Sequence, residues 1–137
     1  MTLLYVDDDP DDLDLLYTIL MDIDPDIRYI PFQKGKEAMN FLELATDLPD
    51  MIFMDINMPI MNGKQCLTEI RKSNRLRHLP VIMYTTSSEE REIKECYKLG
   101  ATDFLIKPSN IQEFHSGLVA VLNNQKNERL KFNSPIV

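Results

Sequence analysis

Met51-Ile52-Phe53-Met54-Asp55-Ile56-Asn57-Met58-Pro59 begins with four apolar residues and then meets a carboxylate. Four apolar residues without polar alternation describe a strand covered on both faces, and such strands belong to parallel sheets flanked by helices. In open sheets of that kind, ligands bind outside the carboxyl ends of the strands. Asp55 stands at such an end.

Other runs repeat the form. Leu3-Leu4-Tyr5-Val6 breaks into Asp7-Asp8-Asp9, Val81-Ile82-Met83-Tyr84 delivers Thr85, Thr86 and Ser87, and Phe104-Leu105-Ile106 ends in Lys107-Pro108. Residues Asp26 to Phe32 read as a further strand, and Pro31 within it favours an edge or an early end, of which an edge position fits. Helical spacing fills the intervals: Leu13, Leu16, Ile19, Leu20 and Ile23 behind Pro10, then Ala38, Phe41, Leu42 and Ala45 behind Gly35, then Cys66, Leu67 and Ile70. Ser88 reads as the cap of a mostly exposed helix in which Ile93, Cys96, Tyr97 and Leu99 are the thin apolar content. Ile111, Phe114, Leu118, Val121 and Leu122 mark a last helix from Ser109 or Asn110 to Asn123. Five strand–helix pairs joined by right-handed crossovers predict an α/β fold, a doubly wound five-stranded parallel sheet with five helices. Residues 1–124 form the expected domain, and residues 125–137 a flexible tail or partner-binding extension.

A chain of 137 residues suffices for one domain with its own core, and 44% hydrophobic with 27% charged residues is an ordinary globular composition. No apolar run approaches the roughly 20 residues of a membrane span. The N-terminus has no basic segment before its acids, so no signal peptide is read and a cytoplasmic location is expected. A net charge of -7 argues against direct nucleic-acid binding, which needs a basic footprint. Cys66 and Cys96 lack metal-ligand or redox spacing and are expected as buried thiols.

With parallel strands, Asp7, Asp8, Asp55, Thr85 and Lys107 converge at one sheet edge. Any one of these alone fits a cap or a turn; their coincidence does not. Crowded carboxylates either retain protons or gather a cation, and oxygen-only donors suit a hard ion such as Mg2+. Asp55 is then free to attack phosphorus, with Lys107 and Thr85 at the other phosphoryl oxygens.

From Leu3 to about Asn124 the chain resembles a response regulator receiver domain of two-component signalling. The resemblance is carried by Leu4-Tyr5-Val6-Asp7-Asp8-Asp9-Pro10, by Phe53-Met54-Asp55-Ile56-Asn57-Met58-Pro59 with Asn62-Gly63, by Pro80 to Thr86, and by Gly100 to Pro108. It implies a flavodoxin-like strand order 2-1-3-4-5 and phosphorylation of Asp55 by a phosphohistidine on a sensor histidine kinase or histidine phosphotransfer protein. It implies Mg2+ held by Asp8 and Asp55 through carboxylates, by Asn57 through its main-chain carbonyl and by Asp7 through water, with Asp9 left as a helix-start residue. Thr85 and Phe104 match the family's switch pair, Lys107 its cation, and a cis bond to Pro108 is implied. Asn57 and Ser87 flank the expected path of attacking water, which predicts an acyl phosphate of intermediate lifetime.

The expected protein is a stand-alone receiver that acts on a downstream effector protein and catalyses only its own phosphorylation and dephosphorylation. A haloacid dehalogenase-type phosphohydrolase also uses an Asp nucleophile, Mg2+ and a lysine, but it wants a second acid two residues after the nucleophile. Position 57 is Asn.

Overall fold

The computed structural model describes the backbone of residues 1–133 and the side chains through residue 127. Its elements run β1 (Thr2–Val6), α1 (Pro10–Ile23), β2 (Arg28–Phe32), α2 (Gly35–Leu44), β3 (Met51–Met54), α3 (Gly63–Lys72), β4 (Val81–Thr85), α4 (Glu90–Leu99), β5 (Asp103–Ile106) and α5 (Ile111–Asn133). The strands form one parallel sheet in the order β2-β1-β3-β4-β5, as expected. The described residues fall into two compact units that divide between Lys107 and Pro108.

In the first unit β3 and β4 are buried at every position, which is why they read as unbroken apolar runs. Side-chain alternation divides the core. Leu4, Val6, Ile52, Met54, Val81 and Met83 share one cluster with Ala38, Met39 and Leu42 of α2, Cys66, Leu67 and Ile70 of α3, and Cys96 of α4. On the opposite face Tyr5, Phe53 and Tyr84 pack ring against ring, with centroids 5.7 to 6.4 Å apart. α1 lies on that second face: Tyr29, level with Leu3 in the register, donates its hydroxyl to the Leu13 carbonyl at 2.7 Å and stacks near Tyr17.

β2 is an edge strand, as Pro31 predicted. Arg28 N–H donates inward to the Met1 carbonyl, so by alternation position 31 faces the open edge. Proline has no donor to offer there, which blunts the edge against pairing with another strand.

Three local expectations are corrected. α4 begins at Glu90 with Glu89 at the cap position and no side-chain cap, not at Ser88. The preceding hydroxyls close their own turns instead, Thr85 Oγ1 accepting from Ser87 N–H at 3.5 Å and Ser87 Oγ from Glu89 N–H at 3.4 Å. Among the described residues no cis peptide bond occurs, so the implied cis bond to Pro108 is absent; trans is the lower-energy isomer even before proline.

The third correction is in the second unit, where α5 continues ten residues past Asn123, to Asn133. Residues 124–133 contain neither Gly nor Pro, and Gln, Lys, Glu, Arg and Leu among them are good helix formers. Asn110 starts the helix, its Oδ1 accepting from Glu113 N–H at 2.8 Å. The rest of the expected tail, residues 134–137, lies outside the described residues.

Candidate functional site

Main-chain bonds that extend the sheet by one residue fix three of the candidate positions at the carboxyl edge. Asp7 N–H donates to the Phe32 carbonyl at 3.0 Å, Asp55 N–H to Val6 at 2.9 Å and Lys107 N–H to Thr85 at 2.6 Å. Each residue is thereby tied to the end of a neighbouring strand before its side chain does anything. Asp7, Asp8 and Asp55 converge, each offering a carboxylate oxygen within 4.8 Å of the others. Asp7 and Asp55 are buried and Asp8 is exposed.

Lys107 joins this group from β5. Its ammonium lies 2.7 Å from Asp7 Oδ2, 2.9 Å from Asp12 Oδ2 and 3.7 Å from Asp55 Oδ1, and 5.3 Å above the centre of the Tyr84 ring. Burial works against the lysine charge, but the hydrogen bonds to Asp12 and Asp7 outweigh it and hold the pKa above its ordinary value. Asp7 accepts from two further donors: Oδ2 also accepts from the buried Tyr5 hydroxyl, and Oδ1 from Asp9 N–H at 2.9 Å. Burial, followed by the charge of Asp7, pushes the Asp55 carboxyl up to about 7 against the opposing pull of Lys107. One ammonium does not neutralise this cluster.

That deficit is a test of whether a cation fits. Three carboxylates with oxygen-only donors, one of them raised far above the carboxylate range by burial and by the charge of Asp7, suit a hard divalent ion.

Behind Asp55 the loop Ile56–Asn62 turns the chain into α3. Gly63 N–H donates to the Ile56 carbonyl at 2.9 Å, and Asn62 with Gln65 forms a reciprocal capping box. A Cβ on Gly63 would fall 2.1 Å from the Asp55 carbonyl oxygen, so a glycine is needed for this close approach. Asn57 is exposed at the rim of this loop.

Thr85 is fully buried, and Phe104 is partly buried against the α2–α4 cluster. Met83 pairs with Phe104 and Thr85 with Ile106, so Thr85 and Phe104 lie on one face of the sheet, one row apart. Asp9 is the N-cap of α1, accepting from Asp11 N–H at 2.9 Å, as a helix-start residue should. Cys66 and Cys96 are buried free thiols.

Sequence reasoning missed Asp12 and Tyr5. Asp12 stands in the first turn of α1, where an acid suits the positive end of the helix dipole and needs no other explanation. Tyr5 passed as an apolar strand residue, yet a buried phenol needs a hydrogen-bond partner, and Asp7 two residues on shares its side of the strand.

Among the described residues no helix is long and apolar enough to cross a membrane. The model of the response regulator receiver domain matches residues 3–118. The two-component response regulator ORR13 of Oryza sativa subsp. japonica is 36% identical over 87 residues, 64% of this chain and 71% of that one. The probable methanogenesis regulatory protein FilR2 of Methanothrix harundinacea is 32% identical over 83 residues, 58% of this chain and 54% of its own length. The match thus spans about half of that relative. The solved Mn(2+)-bound form of response regulator Rcp1 aligns with a TM-score of 0.77 at 26% identity, covering 99% of this chain and 97% of the other. With 116 consecutive residues inside the family model and the acidic cluster at the expected edge, the chain belongs to the response regulator receiver domains, the phosphoacceptor modules of two-component signalling.

Proposed function

We propose that Asp55 accepts a phosphoryl group from a phosphohistidine of a sensor histidine kinase or histidine phosphotransfer protein, in the cytoplasm, and that the phosphorylated domain then engages a downstream effector protein. The supporting observation is the meeting of Asp7, Asp8 and Asp55 within 4.8 Å at the sheet edge, with Lys107 among them.

An Asp55 carboxylate oxygen forms the new O–P bond as the P–N bond to the histidine breaks, and the imidazole leaves with the bonding pair and takes up a proton. Such transfer is mainly a matter of positioning and charge neutralisation. Strand ends hold Asp55 and Lys107 by main-chain bonds, so neither has to be ordered when the donor arrives. Lys107 supplies a cation for the phosphoryl oxygens, and Thr85 a hydroxyl. Asp8 and Asp55 would hold Mg2+ through their carboxylates, Asn57 through its main-chain carbonyl and Asp7 through water. The three donors already on Asp7 suit that indirect role. Mg2+, when bound, neutralises carboxylate and phosphoryl charge. Thr85 and Phe104 carry the switch, the hydroxyl moving to the phosphoryl group as the ring turns inward; the phosphoryl group must favour that state to populate it.

Intact-mass analysis after incubation with acetyl phosphate and Mg2+ tests the reading. One phosphoryl adduct per chain, absent from Asp55→Asn, is expected; no adduct on the wild type, or one that persists in the variant, overturns it.

A further inference from the structure

We propose that Asp12 is a positioning residue for phosphoryl transfer, acting as a latch that holds the Lys107 ammonium and yields it to the incoming phosphoryl group. The inference rests on the assignment of Asp55 as acceptor.

Three carboxylates compete for this ammonium, and they differ in distance and burial. Asp7 Oδ2 is 2.7 Å away on a side chain only 1% exposed, and Asp12 Oδ2 is 2.9 Å away on one that is 32% exposed. Asp55 Oδ1, where the phosphoryl group is to be built, is 3.7 Å away, beyond hydrogen-bond length. In the resting arrangement the lysine therefore spends its short contacts on the two acids that are not the acceptor.

Which contact gives way follows from solvation. Releasing Asp7 would strand a buried carboxylate. Its other donors, Tyr5 and Asp9, already hold it in place at the end of β1. Asp12 sits in the first turn of α1, partly in water, and water replaces the ammonium there at little cost. Asp7 and the Tyr84 ring are thus the fixed side of the lysine's cradle, and Asp12 is the side that opens.

Neutralising Asp12 removes the competitor. In Asp12→Asn, the efficiency of Asp55 labelling by acetyl phosphate rises about threefold, through a lower KM, the size expected for loss of a partly exposed ion pair. Asp12→Glu keeps the charge and stays near wild type. Asp11→Asn removes the same charge from the same turn away from Lys107 and leaves labelling unchanged. A readout separate from labelling is the 15N-edited signal of the Lys107 ammonium, whose protons exchange with water about threefold faster in Asp12→Asn before any phosphoryl donor is added. Unchanged or reduced labelling efficiency in Asp12→Asn, or an equal gain in Asp11→Asn, overturns the latch. If wild-type Asp55 takes no label, the assignment of the acceptor fails and the latch with it; if wild type is labelled and Asp12→Asn matches it, the latch alone fails.

Discussion

Gly63 and Asp55 are in contact through their main chains: a Cβ at residue 63 would stand 2.1 Å from the Asp55 carbonyl oxygen and 2.9 Å from its carbonyl carbon. Both atoms are backbone, so no side-chain rotation relieves the overlap. In Gly63→Ala either the first turn of α3 or the end of β3 has to shift. Urea unfolding is predicted to show a loss of about 1–3 kcal/mol, and Asp55 labelling is predicted to fall with it. A Gly63→Ala protein with wild-type stability and labelling contradicts the contact.

Burial and the charge of Asp7 hold the Asp55 carboxyl near 7, against about 3.8 in an exposed chain. In the absence of metal the folded protein keeps a proton on Asp55 that the unfolded chain has released. This contribution to stability is fully present below pH of about 3.8 and is lost as pH rises towards about 7. Asp55→Asn removes the dependence, because an amide does not titrate. In EDTA the variant is predicted to gain Tm relative to wild type as pH rises from about 4 to about 7, the interval between the unfolded and folded values, with little further gain above it. Parallel Tm profiles for the two proteins would refute the shift.

A divalent ion and a proton compete for the same carboxylates. Mg2+ is therefore predicted to raise the Tm of the wild type more at about pH 8 than at about pH 6. Asp8→Asn is predicted to reduce that gain at both. A gain independent of pH, or undiminished in Asp8→Asn, would place the ion elsewhere.

Asp7, Asp55 and Lys107 were legible in the sequence because each follows an apolar strand, and parallel pairing places all strand ends at one edge. Pro31 likewise announced the edge strand. What stayed hidden depends on distances that no spacing encodes. Asp12 looks like any first-turn acid until Lys107 arrives from 95 residues away, and Tyr5 looks apolar until its hydroxyl is seen on Asp7. Ser88 resembled a cap, but Ser87 and Thr85 close the turn before α4. The end of α5 was drawn too early because the apolar stripe fades after Leu122, whereas no helix-breaking residue follows until Pro135.

Arg71 in the last turn of α3 joins segments distant in sequence. Its guanidinium donates to the carbonyls of Gly100 at 2.8 Å, Arg77 at 3.0 Å and Leu79 at 2.7 Å, and to Thr102 Oγ1 at 3.2 Å. Arg71→Lys keeps the charge but not the planar fork that spans these acceptors. Both Arg71→Lys and Arg71→Ala are predicted to cost about 2–3 kcal/mol in chemical denaturation. Full rescue by lysine would show that charge, not geometry, is what matters.

Asn57 is exposed and Ser87 half-buried, and neither carries a charge to orient or repel water at the acceptor. Replacing either with alanine is predicted to change the dephosphorylation rate of the labelled protein a few-fold, followed by loss of the adduct over time. Unaltered decay in both variants removes their role in the lifetime of the acyl phosphate.

The most direct test is transfer from an autophosphorylated histidine kinase, followed by borohydride reduction and peptide mapping. An acyl phosphate on Asp55 is reduced to homoserine at that position, and the predicted result is homoserine at residue 55 in wild type with Mg2+ and at no other aspartate. Homoserine at residue 7, 8 or 12 instead, or transfer that survives Asp55→Asn at the wild-type rate, would contradict it.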